Sequence, residues 1–570
     1  MGTTDTDATT PATRTYDTFA ELIRSRAGDN KRGLLFADQE WTWAEIVQEA
    51  ADRSAYLASL QPPTDRQLHV GVLLDNVPDF VHWTAAAGLS GAVLVGINSS
   101  RSASEIAQDI RHADIDLIIT ESRLRHLVDA QDHGLPDARV HDIDTSAYQE
   151  LLVPFCGAQL PEKSPAPADL FALMFSSGST GSPKAVILTQ GRLARLTPVL
   201  TDRIGLTRAT TTYLCMPLFH GNSLMMNLVP AMAAGATVAM ARKFSASRFG
   251  PDIHRYGATY VNYVGRALSY VLTTPQDPRD RTGTLRRAFG TEASEADVRR
   301  FSERFDCAVT EGYGLSEGVF RINRTPDTPP GSLGLPAGAA DVRILDEVTG
   351  AECPRADFDA SGRLLNHEAV GQIVAVGLAR AFEGYYRNPT AYAERVRGQD
   401  FWSGDLAYRD AAGFFYFAGR TSDWLRVDSE NLAAAQVERV ILRHPQIAAA
   451  PVYAVPDPVT GDRVMCALEL QPGQHFDPAA FGVFLDSQAD MGAKWWPSYV
   501  RIVPAMPLTG SGKVDKAPLR QAAWHTSDPV YTRVAKTAEY VVLDDAARLA
   551  LERTFAEHGR AALLPTATDR

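Results

Sequence analysis

A chain of 570 residues exceeds what one ordinary hydrophobic core organises, so at least two domains are expected. Hydrophobic residues at 45% and charged residues at 22% are ordinary globular values. The net charge of −12 comes from acidic residues spread along the chain, which argues against a nucleic-acid or anionic-membrane partner.

Residues 1–14 are rich in Thr, Asp and Ala, with no basic start and no apolar core. They read as a disordered tail and not as a signal peptide. Across residues 16–60 apolar side chains recur at helical spacing, and Thr42 is placed to cap a helix beginning near Ala44. Residues 68–74 then predict a strand, 80–90 a helix, 91–97 a strand, 104–113 a helix and 116–120 a strand. Strands alternating with helices predict an α/β fold, a parallel sheet with helices on its faces. The alternation continues through strands at 211–216, 237–241 and 258–264.

The longest apolar stretch, 224–240, is interrupted by Asn227 and Pro230 and is too short to span a bilayer, so it predicts a buried helix. After Gly334 the texture changes to short strands with turns, at 341–345, 371–376 and 413–417, a small β subdomain. Past Arg420 a helix at 432–443 and strands at 448–455 and 463–470 predict a smaller α+β domain, with the break near residues 421–423. The expected division is therefore 15–421 and 422–570. The five cysteines, Cys156, Cys215, Cys307, Cys353 and Cys466, lie far apart and form no CxxC, which suggests neither zinc nor disulfides and fits a reducing cytoplasm.

Chemistry concentrates first between the strand-like runs 171–175 and 185–188. There the chain reads Ser176-Ser177-Gly178-Ser179-Thr180-Gly181, then Pro183 and Lys184. Glycines let backbone approach an anion closely, while N–H groups, hydroxyls and a lysine donate to it, as phosphate binding requires. It is not the GxxxxGK[ST] loop, because Lys184 stands three residues beyond the last glycine and no helix start follows. Four further segments combine glycine with a charged or hydroxyl residue: Gly290-Thr291-Glu292-Ala293, Tyr313-Gly314-Leu315-Ser316-Glu317, Trp402-Ser403-Gly404-Asp405 with Gly419-Arg420, and Pro507-Leu508-Thr509-Gly510-Ser511-Gly512-Lys513. Pro217-Leu218-Phe219-His220-Gly221 adds a histidine beside an apolar run. Each alone is compatible with an ordinary turn.

Taken in this order, from Trp43 to Lys513, the segments resemble the adenylate-forming superfamily of acyl-CoA synthetases, peptide-synthetase adenylation domains and luciferases. The resemblance implies a role for each. Ser176 to Gly181, including catalytic Thr180, and Lys184 would hold ATP phosphates. Tyr313 would stack on adenine, Gly314 and Ser316 would meet the α-phosphate, and Glu317 would hold Mg2+. Gly290, Thr291 and Glu292 would line adenine and the acid, and Asp405 and Arg420 would take the ribose. His220 would gate the acid pocket, and Lys513 would supply charge during adenylation. Tyr263-Val264-Gly265 with Tyr270, and the tail through Tyr540-Val541-Val542-Leu543, look most like the fatty-acid transport protein and very-long-chain acyl-CoA synthetase branch.

The same resemblance implies a large N-terminal domain and a C-terminal lid turning at Ser422 between two half-reactions. The first activates an acid with ATP and the second transfers it to CoA; the apolar surroundings of Leu218 to Met226 favour a hydrophobic or aromatic acid. One departure stands out: Ser429 precedes Glu430-Asn431 where the family carries a glycine on the lid face that meets CoA. An alternative is therefore transfer to an amine, or activation of an unusual oxyanion such as nitrite.

Overall fold

The computed structural model describes residues 14–61, 63–176, 184–325, 327–358, 364–420, 424–427, 430–459, 462–488, 491, 495–510, 512–534 and 537–565. The chain divides into two compact units. The first holds the sequence up to Glu311 together with Glu383–Tyr392 and Gly510–Gly512. The second holds Gly312–Phe382, Ala393–Thr509 and the chain from Lys513 onward.

In the first unit, β1 (Arg32–Phe36) and β2 (Gln39–Thr42) form a hairpin that runs into the helix Trp43–Ser59. That helix starts where the sequence signals it. The Thr42 hydroxyl accepts the Glu45 N–H at 3.1 Å and the Glu45 carboxylate accepts the Thr42 N–H at 2.7 Å, a capping box. Ahead of this cap the apolar spacing read across 16–60 is divided between a short helix, Phe19–Arg24, and the β1–β2 hairpin that follows it.

Next come β3 (His69–Leu73), β4 (Val93–Gly96), β5 (Leu117–Thr120), β6 (Val140–Asp142), β7 (Leu170–Ser176) and β8 (Lys184–Thr189). They form a sheet in the order β6-β5-β3-β4-β7-β8, parallel except for β8. β3, β4 and β5 are buried along their whole length, which is why they are rich in Val, Ile and Leu without a polar alternation.

A second sheet contains β9 (Thr211–Leu214), β10 (Thr237–Met240), β11 (Tyr260–Val264), β12 (Arg287–Thr291) and the first residues of β13 (Ala308–Gly314). Its order is β13-β12-β11-β9-β10-β1-β2. Residues 224–240 are not one buried helix. A five-residue π-helix, Leu224–Leu228, is followed by the α-helix Val229–Ala234, and Thr237–Met240 is strand β10. Gly235, at φ 63°, ends the helix in the left-handed region, so the apolar run turns from helix to strand there. The segment Glu383–Tyr392 completes this unit. The Glu383 carboxylate accepts the Thr189 N–H and hydroxyl at 2.9 and 2.7 Å, and the Tyr386 hydroxyl donates to Asp114 at 2.9 Å.

In the second unit the last residues of β13 pair with β14 (Arg321–Asn323), and β14 pairs with β15 (Leu335–Pro336). An antiparallel sheet comes next, built from β16 (Val342–Leu345), β17 (Gly371–Ala375), β18 (Val396–Arg397), β19 (Asp400–Arg409) and β20 (Phe415–Arg420). Beyond it lie the hairpin of β21 (Trp424–Val427) and β22 (Glu430–Ala433), and the helix Ala434–Ile441. A mixed sheet contains β23 (Ile447–Ala449), β24 (Val452–Pro456), β25 (Asp462–Leu470), β26 (Tyr499–Ile502), β27 (Val530–Arg533) and β28 (Tyr540–Val542). It packs its own core of Val437, Ile441, Val452, Cys466, Phe481 and Val500. No helix among the described residues is long and apolar enough to cross a membrane.

Candidate active site

In the first unit Ser176 and Gly290-Thr291 stand at the carboxyl ends of parallel strands β7 and β12 and His220 follows β9, the ends at which open α/β sheets bind ligands. β7 and β8 pair antiparallel with Ser176 opposite Lys184, so the glycine-rich loop joins two strands, as expected. Ser177, Gly178, Ser179, Thr180 and Gly181 lie outside the described residues. Lys184 is only 8% exposed, uncommon burial for a lysine.

The segment after β9 is held from below by Asn76, a residue the sequence marked only as the end of a strand. Its Nδ2 donates to the carbonyl oxygens of Met216 (3.0 Å) and Ala241 (3.2 Å), and its Oδ1 accepts the Leu218 N–H at 2.9 Å. One buried amide thus ties the end of β3 to the chain leaving β9 and β10. Gly96 at the end of β4 lets that segment settle, since a Cβ there would come within 2.9 Å of the Phe219 carbonyl oxygen. His220 follows, and its Nδ1 accepts the Asn222 N–H at 3.3 Å.

Beside it, β12 ends in Gly290-Thr291, and Glu292 takes a left-handed φ of 69°, uncommon for a residue with a side chain. The Tyr263 ring lies against Gly290 so closely that a Cβ there would meet ring carbons at 2.5 Å. The Tyr263 hydroxyl donates to Glu311 at 3.1 Å, and the same carboxylate oxygen accepts the Ala293 N–H at 2.9 Å. Glu311 therefore braces the loop that carries Glu292. The sequence reading gave Glu311 no such role, because its partners Tyr263 and Ala293 lie 48 and 18 residues away along the chain.

The second unit brings Tyr313 and Asp405 together. Tyr313 lies within β13, not in a turn after it, and its hydroxyl donates to Asp405 Oδ2 at 2.6 Å. Asp405 is 6% exposed, and the Ser403 hydroxyl accepts its N–H at 3.1 Å. Asp405 stands opposite Arg420 across β19 and β20. Phe320 and Phe417 flank the Tyr313 ring, with centroids 6.0 and 6.5 Å away, giving an aromatic surface beside a carboxylate. Glu317 is 7% exposed. Lys513 sits on a tight hairpin: Leu508 pairs with Val514, and the Thr509 hydroxyl accepts the Lys513 N–H at 3.2 Å.

Sequence profiles agree with this arrangement. That of the AMP-binding enzyme family matches residues 24–386, and that of the AMP-binding enzyme C-terminal domain matches residues 436–513. The chain belongs to the AMP-binding enzyme family. It is 45% identical over 547 residues to a steroid-22-oyl-CoA synthetase of Rhodococcus jostii (strain RHA1), spanning 95% of this chain and 98% of that protein. It is 43% identical over 515 residues to a medium/long-chain-fatty-acid–CoA ligase, FadD17, of Mycobacterium marinum, spanning 90% of this chain and 98% of that one. Its fold resembles that of ATP-bound MatB from Rhodopseudomonas palustris, with a TM-score of 0.77 at 23% identity over 89% of this chain and 99% of that one.

As an AMP-binding enzyme, the chain is an ATP-dependent, AMP-forming acid ligase, the reaction class its motif order implies. Among the described residues, no group of three or more His, Cys, Asp or Glu side chains could hold a metal unaided. Magnesium keeps water and substrate phosphates as ligands and takes one or two protein carboxylates. The buried carboxylate of Glu317 is of the right kind to hold it, and the ion would spread the charge that builds as pyrophosphate leaves.

Proposed function

We propose that this AMP-binding enzyme activates a hydrophobic carboxylic acid and passes it to CoA. The observation that carries the reading is the high identity, over nearly the whole chain, to two proteins named as CoA ligases of a steroid acid and of medium and long fatty acids. The apolar surroundings of the His220 segment support it: Leu218, Phe219 and Leu224 are buried, and Met225 and Met226 pack against the same core.

In the first half-reaction the acid's carboxylate oxygen attacks the α-phosphorus of ATP and pyrophosphate leaves. Lys184 and the loop 176–181, with Thr180, hold the phosphates. Asp405 accepts from the ribose hydroxyls and Arg420 donates nearby. Tyr313 offers a ring face to adenine beside Gly314 and Ser316, while Gly290, Thr291 and Glu292 border the purine and the acid. Lys513 brings a fixed positive charge to the oxygens that gain charge in the transition state. His220 borders the acid. In the second half-reaction the CoA thiol attacks the acyl carbon and AMP leaves.

The lid would be residues 422–570, turning near Ser422. Scattered free cysteines fit a cytoplasmic site of action. A second reading, with an amine acceptor or nitrite in place of the acid, rests on Ser429 alone.

Pyrophosphate release with ATP and Mg2+, across fatty, polycyclic and aromatic acids and nitrite, each with and without CoA, separates these readings. CoA-dependent turnover giving a thioester by mass is the expected result. Release indifferent to CoA, or appearing only with an amine, would overturn it.

A further inference from the structure

A row of hydrogen-bonded amides runs through the first unit toward His220. The Thr212 hydroxyl donates to Asn227 Oδ1 at 2.6 Å. Asn227 Nδ2 donates to the Tyr213 carbonyl at 3.1 Å and to Asn262 Oδ1 at 2.7 Å. Asn262 Nδ2 donates in turn to Asn222 Oδ1 at 2.6 Å. Thr212, Asn227 and Asn262 are fully buried, and Asn222 is partly exposed.

The direction of the row is fixed chemically. A backbone carbonyl only accepts, so the Asn227 atom beside the Tyr213 oxygen must be the nitrogen. Its other hydrogen then requires the oxygen of Asn262, whose nitrogen requires the oxygen of Asn222. The row therefore ends in the Asn222 amide nitrogen, held as a donor. Among the described residues, no acceptor meets it. The π-helix Leu224–Leu228, closed by the Val229 N–H donating to the Leu224 carbonyl, carries Asn227 in this row. Such wide turns gather at functional sites. The neighbouring Ser223 hydroxyl is also fully buried and has no partner among the described residues.

A core gains little from three amides that only satisfy one another, because packed apolar side chains would avoid their desolvation. A row that delivers one oriented donor beside His220 has a use. We propose that Asn222 Nδ2 donates a hydrogen bond to an uncharged oxygen, a ketone or ester carbonyl or a hydroxyl, carried on the hydrocarbon part of the acid. The preferred substrates are then oxygenated hydrophobic acids. An uncharged acceptor fits because every group in the row is neutral. The inference rests on the acid-ligase reading of the His220 segment.

The test uses the full chain and a series of long-chain acids bearing one ketone stepped along the chain, each against its saturated parent. Pyrophosphate release and calorimetric binding of the free acid are both measured. One ketone position should be preferred over the parent by about tenfold in kcat/KM and in affinity, the worth of one hydrogen bond. Asn222→Asp still accepts from Asn262 but ends the row in an acceptor, so the ketone preference should vanish. Asn222→Leu should vanish or invert it. A wild-type ratio near one at every position, or a preference kept in both variants, would overturn the assignment, as would no binding of any acid. A ketone preference seen in binding without any pyrophosphate release would instead sink the ligase reading and leave Asn222 in its role.

Discussion

Lys513 is one charge on a short hairpin, and its removal leaves the hairpin's pairing of Leu508 with Val514 in place. Lys513→Ala should therefore slow pyrophosphate release by about 100- to 1,000-fold, the cost of one preorganised donor to developing charge. ATP binding by calorimetry should persist; near-normal release would remove Lys513 from the chemistry. Asn76 makes the opposite kind of contribution, because it touches no reacting group in the proposed scheme. Asn76→Ala strips the Leu218 N–H of its acceptor and should cost about 1–3 kcal/mol in chemical denaturation. It should also raise KM for the acid more than KM for ATP. His82 gives a pH signature. It is fully buried, and burial and the nearby Arg53 guanidinium lower its pKa from 6.5 to about 4, against the pull of Asp79 and Glu49. Below pH 6.5 the unfolded chain takes up a proton that the native chain refuses, so stability is full above that value and falls as pH drops toward about 4. Denaturation at about pH 7 and about pH 5 should differ by roughly 2 kcal/mol more in the wild type than in His82→Phe.

Among the elements, the contact of β11 with β12 is exacting, since Tyr263 needs the absence of a side chain at Gly290. Gly290→Ala should push the ring off, lose its bond to Glu311 and cost about 1–3 kcal/mol of overpacking. Adding Tyr263→Leu should return most of the melting temperature but not the activity, because Glu311 would still lack the hydroxyl that helps hold it against the Ala293 N–H. Much of this layer was legible in the sequence. Strands such as β3, β4 and β5 announce themselves as short apolar runs between helical periods, and Thr42 with Glu45 marks a helix start by residue type alone. The glycine-rich stretch reads as a loop between strands because Phe175 and Ala185 bracket it. What stayed hidden are polar residues whose partners lie far away in sequence. Asn76 meets chain some 140 and 165 residues on, and Asn227 looked like a flaw in an apolar run because its partners are on β9 and β11. The π-helix was equally invisible, since periodicity is read at 3.6 residues per turn.

For the molecule as a whole, the question is how one chain serves two half-reactions. Ser429 is the position at which they can be separated experimentally. If serine there hinders passage of a thiol arm, Ser429→Gly should speed thioester formation from preformed adenylate several-fold and leave pyrophosphate release unaltered, as followed by quenched flow. Equal rates for both proteins would show that serine is tolerated. The division into units has another consequence, one for synthesis on the ribosome. The first unit is not a continuous piece of chain, because Glu383–Tyr392 supplies the carboxylate that takes the Thr189 N–H and the tyrosine that reaches Asp114. After Glu311 emerges, residues 312–382 must be made before that segment arrives. At ordinary translation rates the β7–β8 hairpin waits several seconds with that flank open. The nascent enzyme is then most exposed to misfolding, and slow codons just before Glu383 should lower its yield more than the same codons placed after Tyr392.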